Sequence, residues 1–204
     1  MDIEFFLRGL VIGFLIAAPV GPIGVLCIRR TLTYGLASGF VSGMGAATAD
    51  AVYGCIAGFG LTFISSVLVE QSVSIRLVGG AFLCYLGIKT CLAKPAEEVN
   101  STTTTGLATA YASTVFLTLT NPATILSFAA VFAGLGLASQ SGNYLTASLL
   151  VLGVFLGSAV WWLVLSGGVS LLRHSFSSKG LRWLNRISGL ILLTFGIIAL
   201  HLWE

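Results

Sequence analysis

The chain has 204 residues, 56% of them hydrophobic and 8% charged, and its mean hydropathy is +1.01. A soluble domain carries about 25% charged residues, so this composition excludes an ordinary water-facing surface and points to an integral membrane protein. The net charge of +3 comes from Lys and Arg scattered between apolar blocks, the pattern of topology signals rather than of a nucleic-acid partner.

The first apolar segment, 5–28, follows "MDIEFFLRGL", whose Asp2 and Glu4 stand where a secretory signal would be positive. It reads as a retained span. Within it, "AAPVGPIG" at 17–24 concentrates two prolines and two glycines. Proline lacks the backbone donor that an interior helical position uses, and glycine weakens a helix further. Gly21-Pro22 therefore reads as the start of a second, shorter helix, with proline suited to the first helical position. Arg29-Arg30 closes the segment and reads as an interfacial anchor and orientation signal rather than a substrate ligand.

The second segment, 35–66, carries Asp50 near its middle, the single acidic residue deep in an apolar run. A charge at the centre of a spanning helix costs about 2.5 to 3.5 kcal/mol on insertion scales, so such a residue usually faces the bundle interior and serves a substrate or ion path. Gly39, Gly43, Ala47, Asp50, Gly54 and Gly58 follow the spacing of three and four that shares one helix face. Asp50 is expected to bind a substrate ammonium or a coupling proton; the plainer alternative is a protonated or Arg-paired structural carboxyl. The third segment, 72–92, ends near Lys89. Cys27, Cys55, Cys84 and Cys91 form no CxxC pair and lie in or beside apolar runs, where cysteine acts as a small hydrophobe. Tyr53 and Tyr85 read as packing aromatics, the alternative being a hydrogen bond in a cavity.

Residues 93–106, "AKPAEEVNSTTTTG", combine charges, a proline and a Ser/Thr run, the composition of a cytoplasmic linker between 1–92 and 107–204. Segments 107–137, 143–172 and 181–203 follow. In "TLTNPATIL", Asn121 is a favoured N-cap and Pro122 suits the first helical position, so a helix starts again inside an apolar segment. Such a start leaves backbone N–H groups unpaired and attracts an anionic group, for which a substrate carboxylate is suited. The alternative is a proline kink whose freed carbonyls are met by Thr118, Thr120 and Thr124. Trp161-Trp162 in the fifth segment reads as packing.

With an outside N-terminus, eight Lys and Arg (Arg29, Arg30, Lys89, Lys94, Arg173, Lys179, Arg182, Arg186) fall on the cytoplasmic side and two, Arg8 and Arg76, outside. The positive-inside rule then places both termini outside. The halves also match weakly. "GPIGVL" at 21–26 falls on "NPATIL" at 121–126, Gly43 with 47–49 falls on Gly153 with 157–159, and Arg76 with Gly79 on Arg186 with Gly189. Three spans per unit is odd, so a second copy enters the membrane inverted. The expected fold is an all-α integral membrane bundle of six transmembrane helices in two inverted three-helix repeats, with substrate near the midplane and access alternating between sides. GxSxG, HExxH and Walker sequences are absent, and no enzyme activity, metal site or cofactor is expected.

The longest stretch with a familiar pattern is "APVGPIGVLCIRRTLTYGLASGFVSGMGAATADAVYG" at 18–54, followed by "GGAFLCYLGIK" at 79–89, "LTNPATILSF" at 119–128 and "GVFLGSAVWW" at 153–162. Through these the chain resembles the lysine exporter (LysE/RhtB) family over nearly its whole length. The resemblance implies a small secondary carrier of the bacterial inner membrane that exports amino acids or related metabolites. Its substrate-binding positions would be Gly21, Pro22, Asn121, Pro122 and Asp50, with Asp50 also the coupling site for a proton. One departure stands out: many members carry a compact Pro-Gly-Pro, whereas here Pro19 and Val20 precede Gly21-Pro22. Lipid, an amino acid and a proton are the expected partners, and the small-residue stripes are compatible with a homo-oligomer. The competing readings are a metal-ion carrier, for which no run of soft or carboxylate ligands speaks, and a non-transporting membrane assembly protein.

Overall fold

Apolar runs cut by proline, glycine and polar linkers give helices that end at the cuts. The computed structural model of the protein describes residues 2–19, 21–58, 72–92, 104–121, 124–125, 127–128, 144–172 and 178–201. Seven helices lie among them: α1 (Asp2–Ala17), α2 (Pro22–Tyr34), α3 (Leu36–Gly58), α4 (Ser72–Cys91), α5 (Thr104–Leu119), α6 (Tyr144–Leu172) and α7 (Ser178–His201). Among the described residues the first apolar segment is split into α1 and α2. α1 stops two residues before Pro19, and α2 leaves at 80° to it. α5 starts at Thr104, inside the stretch whose composition reads as linker; helix propensity counts for little in a first turn, whose N–H groups have no intrahelical partner anyway. Residues 93–103, Val20 and Pro122 lie outside the described residues, as do the ends of segments 35–66 and 107–137.

Among the described residues, α6 is the one helix that by itself is long and apolar enough to cross a membrane, and α1 with α2 meet the same requirement together. Only 33% of the apolar window of α6 is buried. Leu145, Leu163 and Val164 point outward. The core helix of a soluble protein would be mostly enclosed, so this outward surface calls for hydrocarbon around it.

Glycines set the helix contacts. A Cβ on Gly9 or Gly13 of α1 would strike the backbone at Leu150 or Val154 of α6, and one on Gly153 or Gly157 would strike Phe6 or Leu10. α1 and α6 therefore touch backbone to backbone and run the same way. α3 and α5 also run the same way, with Gly45 against Tyr111 and Val115. α3 crosses α6 in the opposite sense, with Gly43 against Trp162 and Gly54 against Val151. α4 and α7 are antiparallel too, Gly80 facing Gly196 and Gly87 facing Gly189, while Cys91 and Cys84 fill the space beside those glycines as small apolar side chains. α2 turns back onto α3 through Gly35, whose φ of 97° is open to glycine and strained for other residues, and whose N–H donates to the Thr31 carbonyl at 2.9 Å. One apolar cluster joins Ala17, Ile23 and Leu26 to Ala47, Leu117, Trp162 and Leu192; a second joins Tyr53, Ile125, Phe128, Leu150 and Val154.

Because the Gly13 contact is with main chain, no side chain can rotate away from an added methyl. Gly13→Ala is expected to cost about 1 to 3 kcal/mol, the usual penalty for overpacking, read as a lower melting temperature of the detergent-purified protein. Gly168→Ala, where a Cβ would meet no described residue within 4 Å, should not lower it, since alanine is the better helix former.

Candidate functional site

The two helix breaks have related backbones. α1 closes with the Ala18 N–H on the Phe14 carbonyl (3.0 Å), the Gly21 N–H turns back to the Pro19 carbonyl (2.9 Å), and α2 opens with the Gly21 carbonyl accepting from Val25 (3.0 Å). Gly21 is thus the N-cap residue of α2, Pro22 sits in its first turn, and a Cβ on Gly21 would meet nothing within 4 Å. One hundred residues on, the Asn121 N–H bonds the Thr118 carbonyl (3.2 Å), and the Asn121 carbonyl accepts from Thr124 (3.1 Å) and Ile125 (3.2 Å). A helical turn restarts at Asn121 as it does at Gly21. The Asn121 side-chain amide donates to the Thr124 hydroxyl at 3.0 Å. Thr118 and Thr120 turn their hydroxyls onto the carbonyls of Thr114 and Phe116, both at 2.8 Å, so local threonine bonds accompany the break as well.

Asp50 lies on α3 with 3% of its surface exposed. Its carboxyl accepts the Ser158 hydroxyl of α6 at 2.7 Å, and the Ser158 oxygen in turn accepts the Trp162 indole N–H at 3.1 Å. A serine hydroxyl offers one donor and two lone pairs, so both bonds form together. The indole sits where Gly43 leaves room, since any Cβ there would run into its Cβ and ring. Among the described residues the ion pair present is Arg8–Glu4 on the outer face of α1, and Asp50 takes a hydroxyl rather than an arginine.

Each break is reached from one side of Asp50. Trp162 packs in the cluster that holds Ala17 and Ile23, the residues flanking the first break. Tyr53, three residues beyond Asp50, donates its hydroxyl to the Leu119 carbonyl at 2.6 Å and lays its ring 5.5 Å from that of Phe128. Leu119 ends α5, where carbonyls lose their intrahelical donors, and the tyrosine supplies one. Sequence reasoning favoured packing for Tyr53 over a hydrogen bond, assigned Trp162 to packing and gave Ser158 no site role; each holds a polar bond. Their signal was weak, since Ser158 is one hydroxyl among many and only its spacing of four from Trp162 puts the two on one face.

The arginines of α2 are not at an interface with water. Arg29 is 7% exposed, and its Nε donates to the Asn185 side-chain oxygen of α7 at 2.9 Å. Arg30, half-buried, donates from Nη1 to Ser42 of α3 and to the Ala110 carbonyl and Thr114 hydroxyl of α5, and from Nη2 to Ser113, at 2.8 to 2.9 Å. Two adjacent residues thus fasten α2 to three other helices, all through neutral acceptors.

A family model for the LysE type translocators matches residues 14–202. The chain belongs to the LysE type translocators. It is therefore a membrane transport protein rather than an enzyme, and the family is one of bacterial membranes. It is 30% identical over 198 residues to the Bacillus subtilis (strain 168) protein named "Putative amino acid efflux protein YcgF", covering 95% of this chain and 93% of that one. No solved structure matches it. In this translocator the described residues bring no three His, Cys, Asp or Glu side chains together as a metal cluster.

Tyr53→Phe removes the donor to the Leu119 carbonyl and keeps the ring contact with Phe128. It should cost about 1 to 3 kcal/mol, the price of an unmet buried acceptor, seen as a lower melting temperature with unchanged helicity by circular dichroism. Ser158→Ala removes a partner from both Asp50 and Trp162 and should cost at least as much, with a shift in the tryptophan emission maximum that Tyr53→Phe does not produce.

Proposed function

We propose that this LysE type translocator exports amino acids or related small metabolites across the bacterial inner membrane by alternating access, driven by proton exchange. The substrate carboxylate is held by the helix starts at Gly21-Pro22 and Asn121-Pro122, and its ammonium or an exchanged proton meets Asp50. The observation that carries this reading is the position of Asp50, a buried carboxyl on an intramembrane helix, bonded to one hydroxyl and flanked by contacts to both breaks. A buried charge of this kind marks a substrate or proton path by default. The open space at Gly21 leaves room for a ligand at the start of α2, and the efflux role in the name of the Bacillus subtilis relative agrees with export.

The packing supports two inverted halves, 1–92 and 107–204, joined by the cytoplasmic stretch 93–106, with both termini periplasmic. Exchanging the halves turns the α1–α6 contact into the α5–α3 contact, and both are parallel; it maps α3–α6 and α4–α7 onto themselves, and both are antiparallel. Gly80 and Gly87 lie 109 residues before Gly189 and Gly196, and each packs on the partner's copy, which is the behaviour of a two-fold contact. Rocking one half against the other about these antiparallel contacts would open the Asp50 region to each side in turn.

Proteoliposomes carrying the purified protein should move at least one labelled amino acid out of a panel, faster under a pH gradient than without one. Asp50→Asn, with its elution profile unchanged, should reduce the gradient-driven flux to background. Gradient-driven flux that survives in Asp50→Asn would remove Asp50 from coupling, and a wild-type protein that moves none of the panel would reject the substrate class.

A further inference from the structure

Resting on the export reading above, we propose that Arg29 and Thr33 on α2, facing α7, form a carboxylate-binding station separate from the Asp50 site. The station receives the carboxylate of the substrate as it arrives. Arg29 is 7% exposed, its Nε donates to the neutral Asn185 side chain, which is itself 1% exposed, and the phenol of Tyr34 beside it is a second hydrogen-bonding partner. A guanidinium holds five N–H donors and stays charged at any physiological pH, so bonds to an amide and a phenol leave it without a counter-anion and with donors to spare. No carboxylate pairs with it among the described residues. One turn further along α2, Thr33 is 5% exposed, and its hydroxyl has no hydrogen-bond partner among the described residues. Positions four apart share a helix face, so the unpartnered hydroxyl and the under-bonded guanidinium point the same way. Arg30 provides the contrast: its bonds to Ser42, Ala110, Ser113 and Thr114 occupy it structurally.

The chemistry these groups lack is that of a carboxylate. Its two oxygens accept two parallel guanidinium N–H bonds and leave a lone pair for a threonine O–H. Arg30, the next residue, bonds Ser42 of α3, and Asp50 lies eight residues, about 12 Å, further along that helix, whereas the ammonium and carboxylate of an α-amino acid sit on one carbon. One substrate therefore does not span Arg29 and Asp50, and the two are successive stations. On the proposed topology the Arg29 end of α2 is the cytoplasmic end, the side from which an exported substrate comes.

The test uses the full-length protein in proteoliposomes and has two readouts. In the first, phenylglyoxal modification of Arg29 is mapped by mass spectrometry with acetate, glycine or methylammonium present. Acetate and glycine should protect Arg29 and methylammonium should not, with Arg30 unaffected by any of them. In the second, Arg29→Gln should raise the half-saturating concentration of the transported amino acid at the cytoplasmic face by about tenfold or more, the loss expected for a charge-assisted pair, and leave the opposite face within about twofold. Arg29→Lys, which keeps the charge without the fork, should fall between, and Thr33→Val should weaken the same face only. An Arg29 that phenylglyoxal does not reach, or labels equally with and without acetate, overturns the station, as does an Arg29→Gln protein with unchanged cytoplasmic half-saturation. If amino acids move normally while Arg29 is unprotected, the station fails and the export reading stands. If acetate protects Arg29 while no amino acid moves, the export reading fails and the anion site stands.

Discussion

The hydroxyl of Ser158 on the carboxyl of Asp50 is the bond around which the helices are arranged. Asp50 is on α3 and Ser158 on α6, and a 2.7 Å bond between side chains this short requires the two helices to approach closely. Gly43 and Gly54 on α3 permit that approach, one clearing the Trp162 ring and the other lying on Val151. α6 in turn presents Gly153 and Gly157 to α1, so the helix that holds Ser158 is itself pressed against the first span. In hydrocarbon no water is at hand to take over a lost bond, and dispersion contacts between smooth glycine faces are what remain to hold helices together. The buried polar bond and the small-residue stripes are parts of one solution: the stripes bring the helices near enough for the bond, and the bond fixes their register.

α2 is the element with the least regular surroundings and the most polar fastening. Its thirteen residues begin at a break and end at a glycine turn, and it carries Arg29 and Arg30 side by side. Adjacent helical residues point about 100° apart, so the two guanidinium groups reach different neighbours, Arg29 to α7 and Arg30 to α3 and α5. Every acceptor is a hydroxyl, an amide or a carbonyl. Neutral acceptors leave the charge incompletely balanced, and the bonds are weaker than ion pairs to carboxylates. On the proposed alternating-access reading, such neutral bonds are ones that α2 could exchange for others as one half moves against the other.

The helices and their interruptions were legible because they depend on local chemistry. The run 143–172 becomes α6 almost residue for residue, and the breaks fall where proline removes a donor. Asp50 was legible because it is the single acidic residue deep in an apolar run, whether it serves a transport path or is a structural carboxyl. The partners of these residues were not. Ser158, Asn185 and Thr114 are uncharged, and many similar side chains lie at similar depth, so only the packing of distant helices selects them. The arginines were misjudged for a related reason: two basic residues at the end of an apolar run carry the same sequence signal whether they reach lipid headgroups or turn inward to Asn185 and Ser42. The match of Gly79 with Gly189 does not say which member of the Gly79-Gly80 doublet packs against α7; the contact of Gly80 with Gly196 does.

The two breaks are alike in backbone and unlike in side chain, and the difference has a direction. At the second, Asn121 brings its own amide, which is already engaged with Thr124. At the first, Gly21 brings no side chain and no described residue would meet a Cβ there, so main-chain N–H groups rather than a side chain mark the start of α2, whose Pro22, Ile23 and Gly24 are buried. Proline at the next position withholds one of those groups and leaves the following ones free to point outward from the helix start. Asp50 sits nearer in chemistry to the second break, through Tyr53 and Leu119, while Trp162 carries its contacts to the first. On the proposed export reading, a ligand that puts an anionic group toward α2 and a cationic group toward α3 matches this polarity, and a ligand with the opposite or a single charge leaves one of the two ends unmet.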